Sequence, residues 1–275
     1  MRPRWAVVAG FAGVLLFSAA ALQAAGPQPK VNELTVQLLV TNKRAGLEVV
    51  GAVLNGLGLL GLAGTLAFVF SAAKARKPQL SQGPWITAAV GGALAALGGI
   101  AYGVTITIKA HDFATHGAQT YPQANALLSS AGLAALQYAG LVGSLLLAIA
   151  FVLIALNAMR VGLLTRFMGY LGMAAAAASL LLIGSAPALL IEVFWLLAVG
   201  WLLAGRWPNG DPPAWRTGQA EPWPSAAELR EQRASAAGRP KRGSQPAAEP
   251  TPEPVGATAS PTRSTTPKRK RKHRK

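Results

Sequence analysis

The 275-residue chain contains no cysteine. This excludes a disulfide scaffold, a thiolate metal site and a cysteine nucleophile, and leaves the redox compartment open. Charge is scarce as well: 13% of residues are Asp, Glu, Lys or Arg, against roughly 25% in an average soluble domain. So few charges cannot cover the surface of an aqueous globule. Recognisable catalytic machinery is also missing. There is no nucleophile elbow, no glycine loop with a phosphate-binding lysine, and no pair of acids within one apolar stretch. The expectation is a non-enzymatic protein without a cofactor.

What the chain has is apolar length. Hydrophobic residues make up 52% of it, and mean hydropathy is +0.35 although the C-terminal quarter is plainly polar. Six stretches, residues 5–25, 49–70, 85–108, 135–156, 167–186 and 188–204, approach the ~20 residues of helix that cross a bilayer core. Backbone groups in hydrocarbon must bond within their own segment, which predicts helix in each. No stretch shows the alternation of an outer-membrane strand. The expected fold is all-α: a polytopic bundle of six spans over residues 1–204, then a Trp/Pro-rich and finally disordered, basic tail over 205–275.

Two spans carry alternatives. Arg2 and Arg4 before an apolar run ending in small residues near Ala21 also describe a secretory signal peptide. The run is longer than a typical h-region of about 7–15 residues, which favours a retained helix. The fifth and sixth spans are separated only by Pro187. Together they are too long for one crossing of a ~30 Å core, so a hairpin turning at the proline is expected.

Basic residues set the orientation. With the N-terminus inside, the short inner segments hold Arg2, Arg4, Lys74, Arg76, Lys77, Arg160 and Arg166, and the outer loops hold Lys30, Lys43, Arg44 and Lys109. That bias follows the positive-inside rule, and Trp5, Trp85 and Trp207 then fall at the inner interface. Both termini are expected in the cytoplasm, with the bundle in a bacterial cytoplasmic membrane.

Helices in lipid associate through small residues that let backbones approach. Gly91, Ala95, Gly99 and Gly103 form such a stripe on the third span, and Gly140, Ser144 and Ala148 repeat it on the fourth. The reading is packing within the bundle, with a homo-oligomeric seam on the third span as the alternative. Polar residues at membrane depth are few. Glu192 is the one carboxylate within a span, and Asn55 and Asn157 are the nearby amides. An intramembrane acid points to an ion pathway. Against this, Glu192 lies near the outer start of its helix, where a carboxylate can reach the interface and the helix N-terminus favours negative charge. The amides have an ordinary use as interhelical hydrogen bonds.

Elsewhere the signals are weaker. His111, Asp112 and His116 are plausible zinc ligands by type, but the two histidines are five apart and do not share a helical face, so no metal site is expected. Residues 27–46 have partial helical periodicity, either as an interfacial helix or as an extension of the second span. In the tail, Trp207, Trp215 and Trp223 interleaved with prolines argue for contact with the inner interface or the bundle. Residues 225–234 suit a short helix with Ser225 as its cap and Glu228 three residues on.

The run Asn157-Ala158-Met159-Arg160-Val161-Gly162-Leu163-Leu164-Thr165-Arg166, followed by Phe194-Trp195, Gly205-Arg206-Trp207-Pro208 and Pro212-Pro213-Ala214-Trp215, resembles a group of multi-span inner-membrane proteins of high-GC bacteria. The resemblance covers roughly residues 135–225. It implies inner-membrane residence and no known activity, so it transfers no functional residues.

The favoured function is therefore a structural or regulatory membrane component. The alternative is a small transporter or channel lined by Glu192, Asn55 and Asn157, and an intramembrane enzyme ranks third. The expected partners are the bilayer itself and, through Lys268, Arg269, Lys270, Arg271, Lys272, Arg274 and Lys275, anionic lipid headgroups. Each of these charges is worth at most about 1 kcal/mol at such a surface. Nucleic acid is the rival partner of the same residues, and a solvated tail without a partner is the third possibility. A peptide of residues 239–275 should sediment with anionic liposomes at low salt and much less at high salt. A peptide that ignores those liposomes but shifts duplex DNA would replace lipid by nucleic acid.

Overall fold

A computed structural model describes residues 2–29, 31, 33–181, 186–208, 210–223, 228, 230, 231, 234 and 235. All secondary structure among these residues is helical. The chain divides into two units, Met1–Pro224 and Ser225–Lys275. In the second, Glu228, Arg230, Glu231, Ala234 and Ser235 are helical. Ser225 and the polybasic residues Lys268 to Lys275 lie outside the described residues.

The first unit is built on α1 (Arg2–Ala25), α2 (Leu34–Lys43), α3 (Ala45–Arg76), α4 (Gly83–Thr115), α5 (Tyr121–Leu128), α6 (Ala131–Val161), α7 (Arg166–Leu181), α8 (Ala186–Leu203) and the single turn α9 (Pro213–Thr217). Of these, α1, α3, α4 and α6 are long and apolar enough to cross a membrane. The helices α7 and α8 are apolar but shorter, at 16 and 18 residues. The six expected spans thus correspond to six apolar helices, of which four have full spanning length. The expected turn at Pro187 is displaced. Pro187 sits in the first turn of α8, where its fixed φ suits a helix start and its missing N–H costs nothing. The described part of α7 ends at Leu181 and that of α8 begins at Ala186.

The six apolar helices form a closed ring in chain order. Successive pairs α1–α3, α3–α4, α4–α6, α6–α7 and α7–α8 pack together, α8 returns to α1, and α3 also crosses to α6. A core of Leu16, Leu66, Phe70, Phe151, Ile154, Trp195 and Leu196 fills the interior. Large apolar side chains also point outward, including Phe11 and Phe17 on α1, Leu97 on α4 and Phe194 and Trp201 on α8. Helices that are hydrophobic all round suit a surface bathed by lipid.

Length differences give the ring two unlike ends. At 1.5 Å per residue α3, α4 and α6 run ~46–50 Å, whereas α7 and α8 run ~24–27 Å. At the distal end, α2 and α5 pack against α4 through Leu38, Ala110, Phe113 and Ala124. The segment 27–46 therefore contains a separate helix, ended at Arg44 with φ −110° and ψ 20°, rather than a straight extension of α3. The proximal end carries the start of α1, the α3–α4 turn and the chain after α8.

The small-residue stripe on α4 divides between two neighbours. A Cβ at Gly91 would lie 2.6 Å from the Leu147 nitrogen on α6, and one at Gly103 2.6 Å from Ala52 on α3. Gly99 does not fit the stripe, since a Cβ there meets nothing within 4 Å. A four-residue repeat advances 40° per step around a helix of 3.6 residues per turn, so its members cannot all face one partner. The α4–α6 seam uses Gly98 instead, whose Cβ would lie 2.7 Å from the Gly140 nitrogen, together with Gly143, whose Cβ would strike the Ala95 backbone. The faces of Gly91, Ala95 and Gly103 are packed against helices of the same chain. Gly143→Val should lower the melting temperature in detergent sharply, since overpacking costs about 1–3 kcal/mol or more. Gly99→Ala should leave it unchanged or raise it slightly, by the ~0.5–1 kcal/mol helix advantage of alanine.

Candidate functional site

A cavity of about 1070 Å³ opens among α1, α3, α6, α7 and α8 toward the distal half of the bundle. The α7–α8 pair forms the wall between α6 and α1, and its described helices have fewer residues than either neighbour. Leu16, Ala19 and Ala20 of α1, Leu59 and Leu62 of α3, Leu141, Leu145 and Phe151 of α6, and Leu189 of α8 line the space. Leu141 and Leu145 are 46% and 45% exposed, so the α6 side of the lining is also open to the surroundings.

Polar groups enter this apolar wall at distinct levels. Glu192 on α8 and Ser179 on α7 belong to the lining, and the Ser179 hydroxyl donates to Glu192 Oε2 at 3.1 Å. The same hydroxyl lies 2.9 Å from the Ala175 carbonyl, the usual back-bond partner of a helical serine, so its one proton is shared between that carbonyl and Glu192. Glu192 is 8% exposed. It lies in the second turn of α8, beyond the first turn to which helix-terminus stabilisation extends. Its carboxylate is directed at Ser179 of the neighbouring helix α7. Among the described residues no lysine, arginine or histidine forms an ion pair with it.

Asn55 on α3 lines the same cavity, with Gln137 and Ser144 on α6. Asn157 does not. It lies on α6 about two turns beyond Phe151, the last lining residue of that helix, toward the proximal end. The expected polar set therefore splits: Glu192 and Asn55 are brought together on one cavity, and Asn157 stands apart. The sequence marked Ser144 only as a packing residue and gave no sign of Ser179 or Gln137, because a lone serine or glutamine at a helix surface carries no signal of its own. The one available clue was that Ser179 and Glu192 flank the same end of a predicted hairpin.

Gln23, Gln28 and Arg44 complete the lining. The Arg44 guanidinium donates to the Gln23 and Pro27 carbonyls, each at 3.2 Å, and lies 2.7 Å from Glu48. It is 8% exposed. Arginine's planar fork suits this simultaneous service of carbonyls and a carboxylate. Its charge is matched by Glu48 and its donors cap the end of α1, so it closes a wall of the site and offers little to a ligand.

The proximal end is closed by the chain that follows α8. Trp215 on α9 donates from Nε1 to the Leu163 carbonyl at 2.9 Å. Arg2 and Arg76 place their guanidiniums 4.5 and 4.8 Å from its ring centroid. Arg2 pairs with Asp211 at 2.9 Å, and Arg76 donates to the Ala214 carbonyl at 2.7 Å. Trp5 stacks on Phe68 at 5.0 Å, and Phe68 on Trp215 at 6.2 Å. Glu221 donates its backbone N–H to the Val161 carbonyl at 3.1 Å. A Cβ on Gly162, at φ +84°, would collide with the Glu221 carbonyl, so glycine is required there by both dihedral and space. This cluster joins α1, α3, the end of α6 and the segment 205–223.

The distal end of α4, with His111, Asp112 and the capping His116, shows no comparable convergence. His116 Nδ1 lies 3.2 Å from Asp112 Oδ1, both well exposed, and no cluster of three metal-ligating side chains occurs among the described residues. No family model matches the chain, and comparison with curated proteins and with solved structures likewise finds no match.

The cavity can be probed directly, because the chain has no native cysteine. In solubilised protein, Ser144→Cys and Ala20→Cys should react with a water-soluble maleimide. Ala155→Cys, at a position 0% exposed, should not. Equal labelling of all three would mean that the space is not an open cavity.

Proposed function

We propose that the protein is a non-enzymatic, six-span membrane carrier that admits a small solute into the distal cavity, with Glu192 as its polar anchor. The observation that carries this reading is one carboxylate with one hydroxyl partner in an apolar cavity shared by five helices. A purely structural or regulatory component has no use for such a space. A buried carboxylate costs several kcal/mol unless it is paired, and Glu192 has no cationic partner among the described residues. The closed proximal end fits a carrier as well, because alternating access requires one closed and one open end at a time.

In this reading α7 and α8 complete six crossings as a short hairpin, accommodated by local thinning of the bilayer. Ser179 lies ~20 Å of helix from Arg166, inside a core of ~30 Å. The proximal end, with Arg2, Arg4, Lys74, Arg76, Lys77, Arg160 and Arg166, faces the cytoplasm of a bacterial cell by the positive-inside rule. The cavity then faces outward. The polybasic residues Lys268 to Lys275 hold the tail near the anionic inner leaflet.

The test is flux. Vesicles containing the full chain, given an imposed proton gradient and a panel of labelled cations, anions and neutral solutes, should move at least one solute faster than empty vesicles. Glu192→Gln should reduce that flux by about tenfold or more, the scale expected when a transported charge loses its partner. Flux equal to empty vesicles for the whole panel would overturn the carrier reading.

A further inference from the structure

We infer that the cavity is selective for monovalent organic cations, amines or quaternary onium ions that carry apolar substituents. This rests on the reading of the cavity as the solute site, and it follows from a balance of charge. Two ionisable groups line the space, Arg44 and Glu192. The Arg44 charge is satisfied at 2.7 Å by Glu48, and its NH1 and NH2 groups by the Pro27 and Gln23 carbonyls. Glu192 has the Ser179 hydroxyl and, among the described residues, no cationic partner. When ionised, Glu192 is thus the uncompensated charge of the site, and that charge is negative. An anion would meet that charge in a medium of low dielectric, where like charges repel strongly. A cation would supply the partner that the fold omits.

The shape of the site separates organic from inorganic cations. A calcium ion takes 6–8 oxygens at 2.3–2.6 Å, and magnesium a near-ideal octahedron. Here the oxygens of Glu192 and Ser179 stand together, while those of Asn55, Gln137 and Ser144 come from the α3 and α6 walls of a space of about 1070 Å³. A bare ion would keep most of its water and gain little. An onium ion with apolar groups instead places its charge at Glu192 and its substituents against Leu59, Leu62, Leu145 and Phe151. Burying those substituents is worth ~25 cal/mol per Å². The neutral Asn55, Gln137 and Ser144 tolerate a polar edge without demanding one. The 46% and 45% exposure of Leu141 and Leu145 opens the α6 side to the surrounding hydrocarbon, where apolar cations partition.

A matched pair of probes isolates charge from shape: tetraphenylphosphonium and tetraphenylborate have nearly the same size and opposite sign. Full-length protein in neutral-lipid nanodiscs should bind tetraphenylphosphonium saturably and tetraphenylborate only in proportion to its concentration. Glu192→Gln should weaken the cation by about tenfold or more, as expected for loss of a poorly solvated charge partner, and Glu192→Asp should retain most of the binding. Ser144→Trp is the second variant. It alters a side chain bonded only to its own helix, at the Gly140 carbonyl, so it should leave the fold intact and weaken binding by narrowing the space. Equal saturable binding of both probes, stronger binding of the borate, or a phosphonium affinity indifferent to Glu192→Gln and Ser144→Trp would each overturn the inference. Binding without flux would remove the carrier reading and leave the ligand class standing. Flux of anions or neutral solutes without phosphonium binding would do the reverse.

Discussion

The contact on which the other helices depend is the approach of α4 to α6 with almost no side chain between them. At Gly98 against Gly140, and at Gly143 against the Ala95 backbone, an added Cβ would penetrate the opposite helix. Where lipid supplies no hydrophobic drive between helices, such backbone proximity is the main source of dispersion contact. It makes α4 and α6 a rigid pair. The α3 helix then lies on another face of α4 through Gly92 and Gly103, and α1 lies on α3 where Leu16 meets Gly58 and Ala12 meets Gly61. Small residues thus set the course of four helices in succession.

Once those four are placed, the last two form the remaining wall of the cavity. The α7–α8 hairpin joins α6 to α1 and closes the ring. It is anchored where Trp195, fully buried, donates to the Met168 carbonyl at 3.0 Å and meets Phe151 edge-on at 4.5 Å. Its described helices, with 16 and 18 residues, are shorter than either neighbour. The space beside them contains Glu192 and Ser179 near the hairpin's distal end. The proximal end differs in kind: two arginines, an aspartate and three aromatic rings tie the chain after α8 across the bundle. Cation–π contacts and a charge-assisted bond are individually modest. Together they draw on three separated stretches of sequence.

Helical identity, the number of apolar segments and the scarcity of membrane-depth charge were all legible in composition, because hydrocarbon leaves a backbone few ways to satisfy itself. Helix ends were less so. The α3, α4 and α6 helices extend beyond the apolar stretches 49–70, 85–108 and 135–156, and the distal extension of α4 packs against α2 and α5, a tertiary contact that hydropathy cannot see. Pro187 reads as a break in a list of letters, yet it starts a helix in three dimensions. A stripe spaced by four residues reads as one face, although its 40° drift per step delivers Gly91 to α6 and Gly103 to α3 and leaves Gly99 without a neighbour.

By itself the sequence determined an all-helical, lipid-suited chain and singled out Glu192, because period, length and charge are local properties that act on each segment alone. Which polar residues would meet was decided by the tertiary structure. Asn55 and Asn157 have the same chemistry and similar apolar flanks, yet one lines the cavity and the other lies beyond its floor. Ser179 acquires a role only because α7 and α8 fold back on one another. The direction of a side chain depends on the rotation of its helix about its own axis. That rotation is set by the packing of small residues on neighbouring helices, a collective property that no single segment contains.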